Sequence, residues 1–321
     1  MKKEILVKKI ICIVSLVMFA LFLIIRSEYK KKQGEVVCTE KQWALFNEGQ
    51  EVCGIKGCED VDIGQPKSGA VQLDDNGRNI ICIVDSGINF EISQLNGTCI
   101  YESEEKTKRM DHGTRIAGLI SANDKSGDYK SVLSGVKFIS IVVDDTEIID
   151  ENKIISELSE AEKMGARVVN CSFVYNYYSE AIYNYMKDSK MLFICSSGNG
   201  HNNNIMYPAA YDLPNIISVM GINSLGQCSR ESNYSDKIDV AAPCDNILVI
   251  NDKEELEYVT GVSYSTAFVT AVAAYIINKT DYDSIKIKST LLKNCNKRYE
   301  LNKYVEKGRI LSFENVIKDI G

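Results

Sequence analysis

Two histidines occur in the 321 residues of this chain, and one of them, His112, lies in Asp111-His-Gly-Thr-Arg-Ile-Ala-Gly118. Imidazole is the side chain whose unperturbed pKa lies nearest neutrality, which suits it to take and return a proton. Three other stretches carry the groups such a base works with. Asp85 follows an apolar run in Val84-Asp-Ser-Gly87, Asn199 lies in Cys195-Ser-Ser-Gly-Asn-Gly200, and Ser263 lies in Thr260-Gly-Val-Ser-Tyr-Ser-Thr266. A serine hydroxyl is a weak nucleophile until a neighbouring base removes its proton. The base must be held in one tautomer, usually by a carboxylate on its other ring nitrogen. An oxyanion forming on the attacked carbonyl needs fixed donors, such as an amide side chain and a backbone N–H at a helix start. Asp85, His112, Ser263 and Asn199 supply each of these parts once.

Taken singly, each residue has an ordinary reading. Asp85 is a turn aspartate, Ser263 a helix N-cap, Asn199 a left-handed turn residue, and His112 a histidine at a helix entry. Asp111 is not the partner of His112, because adjacent residues rarely face one another; it reads as helix-entry charge favoured by the dipole. His201, in the polar loop Gly200-His-Asn-Asn-Asn204, is a loop residue and not the base. The four stretches carry weight only together.

The elements that must bring them together are legible in the hydrophobic pattern. Short apolar runs at 79–84, 136–143, 166–171, 191–195 and 215–219 predict buried strands. Between them, 113–122 predicts a helix of small residues. The apolar positions Ile154, Ile155, Leu158, Ala161 and Met164 predict another, ending at Gly165 as its C′ residue. Residues 263–278 are apolar nearly all round, as in a buried helix. Strands alternating with helices predict an α/β fold with a mostly parallel sheet covered on both faces. On such sheets ligands bind outside the carboxyl ends of the strands, where Asp85 and Asn199 fall.

Together these stretches resemble the subtilisin-like serine proteases, the subtilase family. Val84-Asp-Ser-Gly87 is similar to that family's aspartate motif and Asp111-His-Gly-Thr-Arg-Ile-Ala-Gly118 to its histidine motif. Gly198-Asn199, followed by Tyr207-Pro208-Ala209, is similar to the oxyanion-asparagine region. Val240-Ala-Ala-Pro243 is similar to a family turn, Gly261-Val-Ser-Tyr-Ser-Thr266 to the serine motif, and Gln42-Trp-Ala-Leu-Phe-Asn-Glu-Gly-Gln50 to the start of many catalytic domains. The resemblance runs from about residue 40 to the end and implies a three-layer subtilisin-like fold. It also implies an Asp85–His112–Ser263 triad with Asn199 in the oxyanion hole, a polypeptide substrate and no required cofactor. The specificity pocket it implies is bounded by Ser172, Phe173 and Val174 and by Ser196, Ser197 and Gly198.

The departures from the family pattern fall close to the serine. Where the family usually has Thr, Met and Ala around it and a Pro shortly after, this chain has Val262, Tyr264, Ser265 and Ala267. Cys244 replaces the usual glycine after Ala-Pro, and Val174 stands where glycine usually ends the substrate-pairing strand. A β-branched side chain there narrows the approach to the pocket, pointing to a restricted-specificity processing peptidase. A catalytically inactive pseudoprotease, acting as a peptide-binding or scaffold protein, is the competing reading. Tyr175, Tyr177, Tyr178, Tyr183 and Tyr185 read first as core or surface residues and only second as an aromatic rim for substrate. Calcium is common in the family; the loop Asn123-Asp-Lys-Ser-Gly-Asp128 offers oxygen ligands without a clear coordination pattern, so no metal ligand is assigned.

The charge is asymmetric: net +5 over residues 1–36 and −12 over the remainder. An acidic body argues against nucleic acid, which clustered cations bind. Residues 1–9 form a basic tail, 10–25 an apolar run, 26–39 a polar linker and 40–321 the catalytic domain. The run at 10–25 is flanked by Lys2, Lys3, Lys8 and Lys9 before and by Arg26 and Lys30 to Lys32 after. Without a small-residue cleavage site it reads as a membrane anchor or uncleaved signal, with the catalytic domain outside the cytoplasm. If the segment is cleaved, the domain is secreted. The linker is too short for a folded prodomain. Of eleven cysteines, Cys82, Cys171 and Cys195 lie in apolar runs and read as small hydrophobes. Cys53 and Cys58 lie close enough in sequence to pair in an oxidising compartment.

Overall fold

The apolar run after Asn79 forms a central strand, β1 (Ile80–Asp85), whose side chains alternate between two cores. Ile81 and Ile83 face one core, while Cys82 and Val84 face the other. This is the pattern of a strand buried on both faces, and it explains why the sequence there is continuously apolar. The computed structural model describes residues 42–58, 61–103, 111–123, 127, 129–143 and 149–321. The anchor proposed at 10–25, the polar linker and most of the loop proposed for calcium lie outside these residues.

Other strands that build the site's framework are β2 (Cys99–Glu102), β3 (Lys137–Val142), β4 (Val168–Cys171), β5 (Leu192–Ser196), β6 (Ile216–Ile222) and β7 (Val240–Pro243). They are followed by β8 (Ile247–Ile250), β9 (Leu256–Val259), β10 (Asn296–Lys297) and β11 (Arg309–Ile310). Among the described residues nine of them form one sheet in the order β10-β11-β7-β6-β5-β4-β1-β3-β2. Every neighbouring pair is parallel except β10 with β11. Strand order reverses at β1: β3 lies on one side of it and β4 on the other. Such a switch point opens a crevice at the carboxyl end, where Asp85 is the last residue of β1.

Helices cover both faces. Onto the side of Ile81 and Ile83 pack α1 (Asp111–Ile120), α4 (Val262–Lys279), α5 (Ser284–Lys293) and α6 (Phe313–Ile320), through Ile116, Phe268, Ile287 and Phe313. Onto the other side pack α2 (Glu151–Lys163) and α3 (Glu180–Asp188), through Ile154, Leu158, Ile182 and Met186. Cys82, Cys171 and Cys195 lie in this second core, and burial pushes the thiols of Cys82 and Cys195 up, away from reactivity. Gly165 follows α2 at φ +97°, the left-handed C′ geometry its sequence position predicts. No disulfide forms among the described cysteines, so Cys53 and Cys58 are not joined.

Three differences from the sequence reading matter. α1 starts at Asp111, so His112 stands inside the first turn and not ahead of it. Residues 240–243 form β7, a fully buried strand paired with β6, and not a turn. The antiparallel β8–β9 pair escaped notice because β9 is only half-buried and Glu257 interrupts its apolar pattern.

Candidate active site

Asp85 and His112 meet because β1 and the start of α1 approach without side chains between them. A Cβ on Gly113 would lie 2.2 Å from the Gly87 carbonyl oxygen and 3.3 Å from Cβ of Asp85. The Gly113 N–H donates to Ser86 Oγ at 3.2 Å, and Asn89 N–H donates to Thr114 Oγ1 at 2.8 Å, fastening the turn after β1 to the helix. This is the physical content of His-Gly-Thr: a histidine, a gap for the neighbouring backbone, and an acceptor for the turn. Gly113→Ala should therefore lower the unfolding free energy by about 1–3 kcal/mol, read from a urea titration, because α1 must back away from β1.

His112 Nδ1 lies 2.8 Å and 2.9 Å from the two carboxylate oxygens of Asp85. The Asp85 side chain is 3% exposed and that of His112 is 37% exposed, so the acid is enclosed while the imidazole reaches solvent. Asp85 Oδ1 also accepts from the Ser86 N–H at 2.7 Å. With Nδ1–H donating to the carboxylate, Nε2 is left as the acceptor and the tautomer is fixed. Burial disfavours the imidazolium, but the Asp85 charge and hydrogen bond outweigh it and hold the His112 pKa above its ordinary value.

Asp111 turns to Arg115 at 2.7 Å, one helical turn on, and not to His112. Arg115 also grips Glu257 on β9 at 2.6 Å, tying α1 to the β8–β9 pair. The i,i+4 pair is readable in sequence; Glu257 has no local signal, because only the fold brings β9 alongside α1.

Ser263 is the second residue of α4 and 5% exposed. The N-cap is Gly261, which makes no side-chain cap, so the serine hydroxyl is not spent on capping. Val262 N–H donates to Asn199 Oδ1 at 3.0 Å. That bond assigns the amide: Oδ1 faces the helix start, and Nδ2 is left as a donor beside Ser263. The Ser263 N–H belongs to the first four of a helix, which lack an intrahelical acceptor. The start of α4 thus offers two donors, Asn199 Nδ2 and the Ser263 N–H. The ring of Tyr264, next in sequence, lies 5.7 Å from that of His112 between centroids, which brings the α4 start to the imidazole. Among the described hydrogen bonds none joins Ser263 to His112. Hydrogen bonds within catalytic sites are often long or misaligned without substrate and tighten when it binds.

The residues expected to bound a pocket lie at neighbouring strand ends, since β4 and β5 pair in register with Cys171 opposite Cys195. Ser172 Oγ accepts from Asn170 Nδ2 at 2.7 Å, and Asn170 Oδ1 accepts from Thr270 on α4 at 3.0 Å. Phe173 is half-buried and Val174 is 38% exposed. Ser196, Ser197 and Gly198 are buried, and Ser197 Oγ donates to the Asn233 carbonyl at 3.0 Å, so its hydroxyl already has an acceptor. Tyr175 is buried with its hydroxyl 3.1 Å from that of Tyr211, while Tyr178 is exposed. His201 stays in its loop, with Nδ1 3.0 Å from the Ser229 carbonyl. No group of three or more His, Cys, Asp or Glu among the described residues forms a metal-holding cluster, and none of their helices is long and apolar enough to cross a membrane.

Chemically, this arrangement can deprotonate a serine and hold negative charge on an adjacent oxygen. Comparison with known proteins bears on the family and the fold. A cell wall-associated protease of Bacillus subtilis (strain 168) is 25% identical over 248 residues, which cover 73% of this chain and 27% of that protein. A thermophilic serine proteinase of Bacillus sp. (strain AK1) is 23% identical over 253 residues, 74% of this chain and 61% of that protein. The chain thus spans less than two thirds of either relative. Among solved structures, the protease domain of PatA superposes with a TM-score of 0.67 at 18% identity, covering 78% of this chain and 98% of that one. The model of the subtilase family matches residues 77–307, a span that opens just ahead of β1 and holds all four stretches of the site, and the chain belongs to that family.

Proposed function

We propose that this chain is a serine endopeptidase. The observation that carries the reading is the two-oxygen grip of Asp85 on His112 Nδ1, next to a serine whose neighbour is bonded to Asn199. In the reaction, Ser263 Oγ bonds to the peptide carbonyl carbon as His112 Nε2 takes its proton. The oxyanion is held by Asn199 Nδ2 and the Ser263 N–H. The imidazolium then gives its proton to the leaving amine as the C–N bond breaks, leaving an acyl ester on Ser263. Water, deprotonated by His112, hydrolyses the ester. Asp85 stays ionised throughout and keeps Nδ1 protonated.

Incubation with a fluorophosphonate probe, followed by mapping of the labelled peptide, tests this; the adduct is expected on Ser263. Asn199→Ala should lower kcat by about 10²–10³, the range known for the equivalent donor of subtilisin itself. Substrate affinity should change little. The absence of a hydrogen bond from Ser263 to His112 is the one observation favouring a peptide-binding scaffold without turnover, and a protein that binds peptides but never labels would establish that alternative.

We read the specificity as restricted, because Val174, which is 38% exposed, stands where the family usually has glycine. A product profile on a peptide library should show one dominant cleavage context, and general digestion of casein would refute it. Residues 10–25 are assigned as the membrane tether, with the catalytic domain outside the cytoplasm; protease accessibility of terminal tags on intact cells tests that assignment.

A further inference from the structure

Tyr264 stands where the family usually has methionine, and it is 4% exposed. Its ring meets that of His112 at 5.7 Å between centroids with planes inclined at 51°. That separation is within the ~6 Å at which an aromatic face attracts a cation. We propose that Tyr264 is a positioning residue for His112, whose ring fixes the imidazole against Asp85 and favours the imidazolium that forms during turnover. The inference rests on the reading of His112 as the catalytic base.

The surroundings of His112 leave this role open to the ring. From β1, Asp85 takes the Nδ1 edge of the imidazole with both carboxylate oxygens. From α1, Asp111 favours the imidazolium and Arg115 opposes it. Arg115 is itself shared between Asp111 and, from β9, Glu257, at 2.7 Å and 2.6 Å. From α4, Tyr264 brings its ring to 5.7 Å from the imidazole between centroids. A methionine there would fill volume and adapt to its neighbours. An aromatic ring adds a rigid flank and a quadrupole, both acting on the one side chain whose charge must change in each cycle.

The chain has only two histidines, so its imidazole titrations are separable. The full-length protein, labelled with ¹³C-histidine and carrying Ser263→Ala, gives two ring signals, and His201→Asn assigns them. Tyr264→Leu should lower the His112 midpoint by about 0.3–1 pH unit, whereas Tyr264→Phe, which keeps the ring, should hold it. Because no turnover is needed, this readout stands even if the chain proves not to be a protease. With Ser263 restored, Tyr264→Leu should reduce kcat about three- to thirtyfold with KM little changed, and Tyr264→Phe should recover most of the loss. Tyr264→Met carries the same expectations as Tyr264→Leu and serves if the leucine variant misfolds. An unchanged midpoint in Tyr264→Leu and Tyr264→Met, or a Tyr264→Phe midpoint that falls with theirs, would overturn the proposal.

Discussion

Ser263→Ala is expected to end peptide hydrolysis, with a loss in kcat of about a millionfold, the scale seen when subtilisin itself loses its serine or histidine. The loss is this large because serine and histidine act as a unit: without Oγ no acyl ester forms, and the base has nothing to activate. Fluorophosphonate labelling should vanish in parallel. The fold should be untouched. The N-cap of α4 is Gly261 with no side-chain bond, and Ser263 Oγ anchors no neighbouring element. Its removal takes one atom from a site that already opens to solvent at His112. The thermal midpoint should shift by no more than about 2–4 °C. Retained turnover or retained labelling would place the nucleophile elsewhere.

Asp85→Asn is expected to lower kcat about ten-thousandfold with the backbone in place. An amide at position 85 can donate to Nδ1, which moves the ring proton to Nε2, and Nε2–H cannot accept the serine proton. The pH profile should change as well. His112 titrates above the ordinary histidine value of 6.5 because the Asp85 charge outweighs burial. Turnover needs the neutral ring, so kcat/KM should rise with pH through a midpoint above 6.5. Without the carboxylate, burial and Arg115 both act to depress that pKa, and the midpoint of the residual activity should fall. A midpoint that stays put would remove Asp85 from the role assigned to it.

Much of this site was readable before any coordinates. The strand under Asp85 announced itself because a sheet buried on both faces must be apolar on both, leaving little to confuse with a helix. Ser263, Asn199 and His112 can be grouped because each lies at a strand end or a helix start and the three supply different parts of a serine-activating set. What could not be read were relations across the fold. Glu257 reaches Arg115 only because β8 and β9 fold beside α1. The Asn199–Val262 bond joins residues far apart in the chain and fixes which way an amide faces, which composition does not encode. The Tyr264–His112 contact belongs to the same class, since a departure from a motif says that packing changed but not onto what. Residues 240–243 were misread because a short Val-Ala-Ala-Pro run, ending in a residue that breaks strands, carries too few positions to show alternation.

The four groups of the site are drawn from segments at 85, 112, 199 and 263, joined only by the central sheet and the helix across it. Asp85 and His112 can find each other early, across 27 residues of chain. Val262 meets Asn199 across 63, with β6 to β9 lying between them in the chain. Closing the longer loop costs more chain entropy, but the cost grows only slowly with length, by about 0.6 kcal/mol per doubling. The reaction proposed for this chain needs both closures at once. A chain with only one of them formed holds half of the machinery, so the site is a property of the whole fold and of no single segment.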